Sequence, residues 1–353
     1  MPVRLKDIAD DLGVSVVTVS KVLRNHGDIS RETRDRVLKR IKELNYQPNL
    51  AARALVTGRT HLIGLVVPDL VHQFFAQVAK GASHVLRKRG YSLIISSSEE
   101  DPALENEEIS QLLSRRIDAL IVASSHSTPA FLQQIEDAQI PYLLLDRKFS
   151  GCEACFVGID DRKAGELATT HLIENGCQRI AYIGGKNVST AINRLEGFRK
   201  AMAAHRLPIH EGQITCRSHF DDAADITGYK AMKTLLRRKP HPDGIFCYND
   251  PVATGVMQAI IEAGLRIPED IALIGCGNVR YASALRVPLS SVDQDCELMG
   301  EQAAAIALDL IAGKVVTPKT VLLEPRLIVR KSSVRPAANS NPVSKPNRAV
   351  VSK

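Results

Sequence analysis

Short apolar runs alternate with stretches of helical periodicity from residue 62 onward. Runs that are apolar on both faces and alternate with helices are typical of parallel sheets with right-handed crossovers. The predicted strands are 62–67, 92–96, 119–123, 142–145, 180–183, 244–247 and 272–275, and the predicted helices are 75–89, 103–113, 162–174, 194–203, 226–236 and 252–263. We therefore predict two doubly wound α/β subdomains, about residues 61–160 and 161–290, with crossovers to residue 330. A barrel would need eight strand–helix units, and the count alone leaves that alternative open.

The first 47 residues have a different pattern, which predicts an all-α head of three short helices. An apolar stripe at helical spacing ends at Gly13, a natural helix terminator, and Ser15 can cap a second helix that begins at Val16. Ser30 can cap a third helix, which Pro48 would stop. The second segment is rich in β-branched valines, but tertiary packing routinely overrides such small propensity differences. The short gap between the first two helices predicts a helix-turn-helix.

The positive charge is concentrated at the two ends of the chain. The net charge is +7, with 12 Lys/Arg against 7 Asp/Glu in residues 1–60 and 5 against none in residues 331–353. A basic head on a mildly acidic body favours a small polyanion-binding module, although charge alone fits a solvated surface equally well. The tail, 331–353, is rich in Ser, Pro and Asn, so we predict that it is disordered. It has no leucine heptad, which argues against a helical tetramerisation tail.

Several classes of protein are disfavoured by what the sequence lacks. No apolar core follows the N-terminal charges, and no run approaches about 18 apolar residues, so we expect neither a signal peptide nor a membrane span. The seven dispersed cysteines indicate reduced thiols, and the cytoplasm, on nucleoid DNA, is the expected location. Cys152 and Cys155 form a lone CxxC without two further ligands, so no metal site is expected. No catalytic or cofactor motif is present, and we predict a protein without enzymatic activity or cofactor.

Taken together, these segments resemble the LacI/GalR family of bacterial transcription regulators. LKDIADDLGVSVVTVSKVLRN is followed by ISRETRDRVLKRIKELNYQPNLAARAL and then IGLVVPDL, and later matches are LLLDR, VGIDD, RLEGF, YNDPVATG and PLSSVDQ. The resemblance covers about residues 3–330. It implies a DNA-binding head at 1–47, a hinge helix and linker at 48–60 and a periplasmic-binding-protein-like core at 61–330. It also implies a homodimer that binds near-palindromic operator DNA and takes an effector between the two subdomains.

In this family the second helix enters the major groove of DNA. Val16 and Val17 would then offer apolar contact to a thymine methyl. Lys21 matches a base- or phosphate-contacting cation of the family, and its ammonium could approach guanine O6 and N7. Packing inside the head is the alternative for the two valines. The predicted DNA-binding residues are Ser15, Val16, Val17, Thr18, Ser20, Lys21, Asn25, Asn49, Ala52, Arg53 and Leu55.

The segment 49–55 resembles the family's hinge, which becomes helical when two copies meet over DNA. By this resemblance Leu55 would wedge into the minor groove and Ala52 would let the backbone approach closely. Arg53 and Arg59 would meet phosphates. A plain interdomain linker is the alternative reading of this segment.

Ligands of open α/β sheets bind beyond the carboxyl ends of the strands, where several polar and aromatic residues fall. Arg194 matches the arginine that binds the effector in this family, and its planar guanidinium can donate paired hydrogen bonds to vicinal hydroxyls or to a carboxylate. The predicted effector-binding residues are Asp69, Phe74, Asp146, Arg194, Phe220, Asn249, Asp250 and Gln294. Capping or surface roles are the alternatives. Gly277 and Asn278 stand where many family members carry paired acidic residues, which predicts a less hydroxyl-rich, or an anionic, ligand.

We predict a sequence-specific DNA-binding regulator, a repressor whose operator affinity is changed by a small polar effector such as a sugar or sugar-derived metabolite. One alternative keeps DNA binding but replaces the effector with a protein corepressor. A second alternative, a solute-binding protein or a sugar-processing enzyme, is disfavoured by the head and by the missing motifs. The sequence leaves open the effector, the operator, the sign of regulation and the choice between dimer and tetramer.

Overall fold

We describe a computed structural model of the chain over residues 3–23, 26–46, 54, 58–185, 188–215, 223–315 and 317–335. The chain forms two compact units, which divide between Thr60 and His61. Among the described residues, no helix is both long enough and apolar enough to cross a membrane.

The first unit contains α1 (Leu5–Leu12), α2 (Val16–Leu23) and α3 (Arg31–Glu43). Gly13 ends α1 with a left-handed φ of 65°. Ser15 begins α2, where its Oγ accepts the Thr18 N–H at 3.0 Å. The three helices share a small core of Ile8, Ala9, Val19, Val22 and Val37. The predicted helix-turn-helix head is confirmed, and the valine-rich segment is helical because two of its valines are buried in this core.

The predicted stop of the third helix at Pro48 is wrong, since α3 already ends at Glu43. Leu44 caps the helix, and Asn45 adopts a left-handed φ of 46°. Asparagine tolerates this conformation better than most residues and often ends helices in it. The helix is therefore terminated before proline is reached, and Pro48 lies outside the described residues.

The second unit alternates strands and helices. Its elements are β1 (Leu62–Val67), α4 (Gln73–Lys88), β2 (Ser92–Ser97), α5 (Pro102–Ser114), β3 (Ala119–Val122), α6 (Leu132–Asp137), β4 (Tyr142–Leu145), β5 (Cys155–Ile159), α7 (Asp161–Glu174), β6 (Ile180–Ile183), α8 (Ser189–Ala204), β7 (Ile214–Thr215), α9 (Ala224–Leu236), β8 (Gly244–Cys247), α10 (Asp250–Glu262), β9 (Ala272–Cys276), β10 (Ser290–Asp293), α11 (Cys296–Ile311), β11 (Thr320–Leu323) and β12 (Arg326–Ile328).

These strands form two sheets of six. The first has the order β11-β5-β4-β3-β1-β2, and the second has the order β12-β10-β9-β8-β6-β7. All neighbours are parallel except the antiparallel pair β10 and β12. We call the halves built on them the N-subdomain and the C-subdomain. The chain passes between them after β5, after β10 and after β11, and the predicted doubly wound fold is confirmed.

Helices α7 and α8 pack with their backbones in close approach. A Cβ atom on Gly165 of α7 would overlap the carbonyl oxygen of Arg194 in α8. A Cβ atom on Gly197 of α8 would likewise overlap the carbonyl oxygen of Arg162 in α7. The two glycines therefore set the register between the helices, and this register places Arg194 beside the start of α7.

The prediction that the whole tail from residue 331 is disordered is wrong for its first residues. Ser332 and Ser333 are fully buried. The Ser332 hydroxyl donates to the Leu273 carbonyl at 2.6 Å, and its N–H donates to the Pro288 carbonyl at 3.0 Å. Hydrogen bonding to the strand β9 and to the residues before β10 thus fixes 331–335 in the C-subdomain, while 336–353 lie outside the described residues.

Candidate DNA-binding surface and ligand cleft

The exposed face of α2 begins with two valines. Val16 is 42 % and Val17 is 61 % exposed, whereas Val19 and Val22 are buried in the head core. The helix therefore has two different valine faces, one packed inside and one turned outward. This arrangement disfavours the alternative in which Val16 and Val17 pack inside the head.

The polar residues of α2 are partly engaged within the head. The Ser15 and Thr18 hydroxyls lie 2.9 Å apart, so both help to begin the helix. The Lys21 ammonium forms an ion pair with Asp28 and lowers the pKa of that carboxyl. Ser20 is half-buried. The remaining predicted DNA-binding residues, Asn25, Asn49, Ala52, Arg53 and Leu55, lie outside the described residues.

In the second unit, a cavity of about 560 Å³ opens between the two subdomains. Its walls come from segments that follow the carboxyl ends of β1, β2, β4, β6, β7, β8, β9 and β10, as expected for open α/β sheets. We call it the cleft. Six predicted residues line it: Asp69, Phe74, Asp146, Arg194, Asn249 and Gln294.

Arg194 lies on the C-subdomain side of the cleft and is held by three partners. Its Nε donates to Asp161 Oδ1 at 2.8 Å, its Nη1 to the Tyr248 carbonyl at 2.7 Å and its Nη2 to Gln294 Oε1 at 3.0 Å. The guanidinium also lies 4.9 Å from the centre of the Tyr248 ring. Burial raises the pKa of Asp161, and the Arg194 charge opposes that rise. The protein itself thus fixes the position of the guanidinium through all three of its nitrogens.

On the N-subdomain side, Asp146 and Arg147 follow β4 in a tight turn. Asp146 has a φ of 60°, and the Arg147 N–H donates to the Leu145 carbonyl at 2.5 Å. Both side chains are buried and both line the cleft. Sequence reasoning found Asp146 but missed Arg147, although its position directly after an apolar strand was the available signal.

His72 and Asn249 face each other from the two subdomains. His72 Nδ1 accepts the Phe74 N–H at 3.2 Å at the start of α4, and Asn249 Oδ1 accepts the Val252 N–H at 2.9 Å at the start of α10. Their remaining nitrogens, Nε2 and Nδ2, are 3.4 Å apart. Burial lowers the pKa of His72 to about 4, so the ring is neutral at pH 7. Sequence reasoning did not identify His72 as a cleft residue.

Two hydrogen bonds join the subdomains beside this pair. The Arg280 N–H donates to Gln73 Oε1 at 2.8 Å, and the Lys148 N–H donates to Ser189 Oγ at 3.0 Å. Each joins a residue of one subdomain to a residue of the other, so the described structure has the cleft walls in direct contact at these points.

Among the described residues, two predicted features do not lie on the cleft wall, namely Asp250 and the Gly277–Asn278 pair. Asp250 is fully buried beneath it, where its carboxylate accepts the Ser291 hydroxyl at 2.6 Å and the Val279 N–H at 2.8 Å. Asn278 accepts from Arg330 Nη2 at 2.7 Å, and neither it nor Gly277 lines the cleft. Phe220 lies outside the described residues. The placement of Asp250 corrects its predicted contact with the effector, because its carboxylate is used to hold the loop after β9.

Comparison with known proteins places both units in one family. Residues 4–49 match the bacterial regulatory proteins of the lacI family, and residues 169–333 match a periplasmic binding protein-like domain. The chain is 34 % identical over 335 residues to the HTH-type transcriptional repressor PurR of Haemophilus influenzae (strain PittEE), covering 93 % of this chain and 98 % of that one. The chain belongs to the LacI family.

Solved structures of LacI-family proteins agree with this assignment. A complex of the transcriptional regulator CelR with cellobiose is 30 % identical, with a TM-score of 0.72, and the match covers 94 % of this chain and 99 % of that one. The lac repressor dimer bound to operator and the anti-inducer ONPF is 26 % identical, with a TM-score of 0.83, covering 95 % and 100 %. These findings confirm the predicted family and fold. This LacI-family chain is a DNA-binding transcriptional regulator, and its relatives are regulators rather than enzymes.

Proposed function

We propose that this LacI-family chain represses transcription as a homodimer that binds a near-palindromic operator, and that a small polar ligand in the cleft changes its operator affinity. We place this activity in the cytoplasm, on chromosomal DNA. The observation that carries the proposal is the outward valine face of α2, because two large apolar side chains exposed at the start of a short helix suit contact with thymine methyl groups.

Dimerisation follows from the small size of this surface. One head offers a short helix with few base-contacting side chains, while two heads contact twice as many phosphates and read two half-sites. The solved lac repressor dimer on its operator supports this arrangement. If each dimer neutralises about 6–10 phosphates, affinity should fall roughly 10³–10⁵-fold between 50 and 200 mM salt.

The cleft supplies the control. Its walls belong to both subdomains, and direct hydrogen bonds cross between them at Gln73–Arg280 and Lys148–Ser189. A ligand that binds one closure state of the cleft more tightly than another shifts the population towards that state. The free energy that couples such a site to a second one, here the DNA-binding surface, is typically about 1–3 kcal/mol. The relative CelR was solved with cellobiose, which supports a carbohydrate or a carbohydrate derivative as the ligand.

The DNA-binding part is tested with the full chain and a random duplex library, from which an operator is selected. Val17→Ala should weaken binding to the selected operator about tenfold or more, because it removes apolar base contact. Leu38→Ala, which shortens an exposed apolar side chain of α3, is the matched control and should bind normally. Equal binding by Val17→Ala and the original chain would contradict the role of this face.

The effector part is tested by titrating small metabolites while operator affinity is followed by fluorescence anisotropy. The proposal expects at least one polar metabolite to change operator affinity by about 5–150-fold. A response that requires a second protein, with no response to any metabolite, would instead support control by a corepressor.

A further inference from the structure

We propose that the N-subdomain carries a second DNA-contacting surface at the amino ends of β1, β2 and β3, where its cations bind phosphates of the duplex that the head recognises. The inference rests on the proposed function and extends the DNA interface beyond the head. It starts from the charged residues at the places where these three strands begin.

The three strands begin at the same edge of the sheet. β1 lies between β2 and β3, and all three are parallel. Leu62 of β1 is paired with the first residue of β2, and Ile63 with the first residue of β3. The Asp118 N–H donates to the Leu62 carbonyl at 2.7 Å. The residues that precede the three strands therefore lie side by side, since neighbouring strands are only about 5 Å apart.

Helices α4 and α5 both end at this edge. Each helix runs back from the carboxyl end of one parallel strand to the start of the next. α4 ends at Lys88, just before β2, and α5 ends at Ser114, just before β3. Alternate residues of β3 face two separate cores, one with Leu86 of α4 and the other with Leu112 of α5. The helices therefore lie on opposite faces of the sheet, and their last residues flank the start of β1.

The segments that meet at this edge are strongly basic. Residues 58–61, 86–91 and 114–118 together contain six Lys/Arg and one Asp, whereas residues 61–330 as a whole contain 29 Lys/Arg and 32 Asp/Glu. The one carboxylate, that of Asp118, accepts a backbone N–H at 2.9 Å. All six cations are exposed, and we call them the basic edge: Arg59, Arg87, Lys88, Arg89, Arg115 and Arg116.

The helix ends present positive charge that no carboxylate of the described residues neutralises by an ion pair at Arg87, Lys88, Arg89 or Arg115. A cation in the last turn of a helix gains about 0.3–1 kcal/mol from the helix dipole, which accounts for an isolated charge at a helix end. The dipole does not account for two basic helix ends side by side, because like charges repel each other. A polyanion relieves this repulsion.

Duplex DNA is the polyanion that the chain brings to this edge. Residues 47–60 connect the head to His61, the residue before β1. A short connector keeps DNA that is bound by the head at a high effective concentration near the point of attachment. The guanidinium of arginine donates paired hydrogen bonds to a phosphate. Phosphate contacts carry no sequence information, so the basic edge adds affinity and salt dependence rather than specificity.

The test is fluorescence anisotropy on the full chain, with the selected operator and with a random-sequence duplex of the same length. The variant Arg87→Gln/Lys88→Gln/Arg89→Gln should bind both duplexes about tenfold or more weakly at about 50 mM salt. Each phosphate contact that is lost should also reduce the slope of log affinity against log salt by about 0.9. Arg115→Gln, at the end of the other helix, should reduce the slope in the same direction, and it decides the question if the triple variant does not fold.

Arg237→Gln/Arg238→Gln/Lys239→Gln is the matched control. It removes three exposed cations from the end of α9, which precedes strand β8 of the C-subdomain as α4 precedes β2. This control should leave both slopes unchanged. A second control, Arg87→Lys/Arg89→Lys, retains the charges and should retain the slopes.

Unchanged slopes in the α4 triple variant would overturn the inference and would leave an acidic protein as the partner for this edge. An equal change in the C-subdomain control would also overturn it, because net charge alone would then be responsible. Neither result affects the operator preference of the head. If the original chain preferred no operator, the proposed function would fail, while the random-sequence duplex would still test the basic edge.

Discussion

Arg194 Nε and Asp161 Oδ1 lie 2.8 Å apart, and both side chains are almost completely buried. Asp161 is the first residue of α7, and Arg194 lies within the neighbouring helix α8. Gly165 and Gly197 allow the backbones of these two helices to come close. This pair holds the guanidinium at the cleft, because it fixes the arginine from behind while Gln294 and the Tyr248 carbonyl fix it from the sides.

Removing the charge of Asp161 should destabilise the second unit. Asp161→Asn leaves Arg194 without its counter-ion in a buried site, and breaking such a pair typically costs about 3–5 kcal/mol. We expect a loss of unfolding free energy of this order in urea titrations at pH 8.

Glu196→Gln is the control for this prediction. It breaks the pair between Arg162 and Glu196, which joins the same two helices on their exposed side. Exposed ion pairs contribute little, so Glu196→Gln should unfold like the original chain. If the two variants lost a similar amount of unfolding free energy, burial would not explain the contribution of the Arg194–Asp161 pair to stability.

His72 should make the chain less stable in acid. Its pKa is about 4 in the folded protein because it is buried, and about 6.5 in an unfolded chain. Below pH 6.5 the unfolded state therefore binds a proton that the folded state does not, so the contribution of His72 to stability is lost as the pH falls towards 4.

The measurement is the melting temperature of the original chain and of His72→Asn between pH 7.5 and 4. Asparagine can still begin α4, so the variant should fold and should lose less stability in acid. His84→Asn, on the exposed face of the same helix, should retain the original pH dependence. Parallel profiles for the original chain and His72→Asn would refute the assignment.

Most of the strands that are buried on both faces could be predicted from the sequence because each is an apolar run, but β5 and β10 were not predicted although they are buried. β1, β4, β6 and β8 have the predicted bounds. β7 and β12 are two and three residues long, and β11 alternates in exposure, so none of them gives a strong apolar pattern. Their place in a sheet depends on neighbours distant in sequence.

The candidate site could be predicted only in part for the same reason. Asp146, Asn249 and Gln294 could be predicted as residues that line the cleft because each follows a strand. The burial of Asp250 under the cleft, and the weak hydrogen bonding of Arg147, depend on contacts with Ser291 and Ser124 that no local spacing indicates. The long helix α11 was not predicted from the sequence. It packs against α4, where the backbone of Glu297 comes close to Gly81.

Gly165→Ala should disturb the register that places Arg194. The added methyl group would overlap the Arg194 carbonyl oxygen, so α7 and α8 must move apart. Such overpacking typically costs about 1–3 kcal/mol, and it should also weaken binding of a cleft ligand. Calorimetric melting and ligand titration measure the two effects. Glu174→Ala, at the exposed end of the same helix, is the control, and it should change neither quantity.

Asp28 should restrain the DNA affinity of the head by pairing with Lys21. Asp28→Asn releases the Lys21 ammonium, which can then neutralise a further phosphate. Each added phosphate contact steepens the fall of log affinity with log salt by about 0.9, so we expect a change of this size per head and tighter binding at low salt. Asp10→Asn removes the same charge from an exposed site on α1 and should leave the slope unchanged. Anisotropy titrations on the selected operator from 50 to 200 mM salt would decide the question, and equal slopes for the two variants would mean that Lys21 does not reach a phosphate.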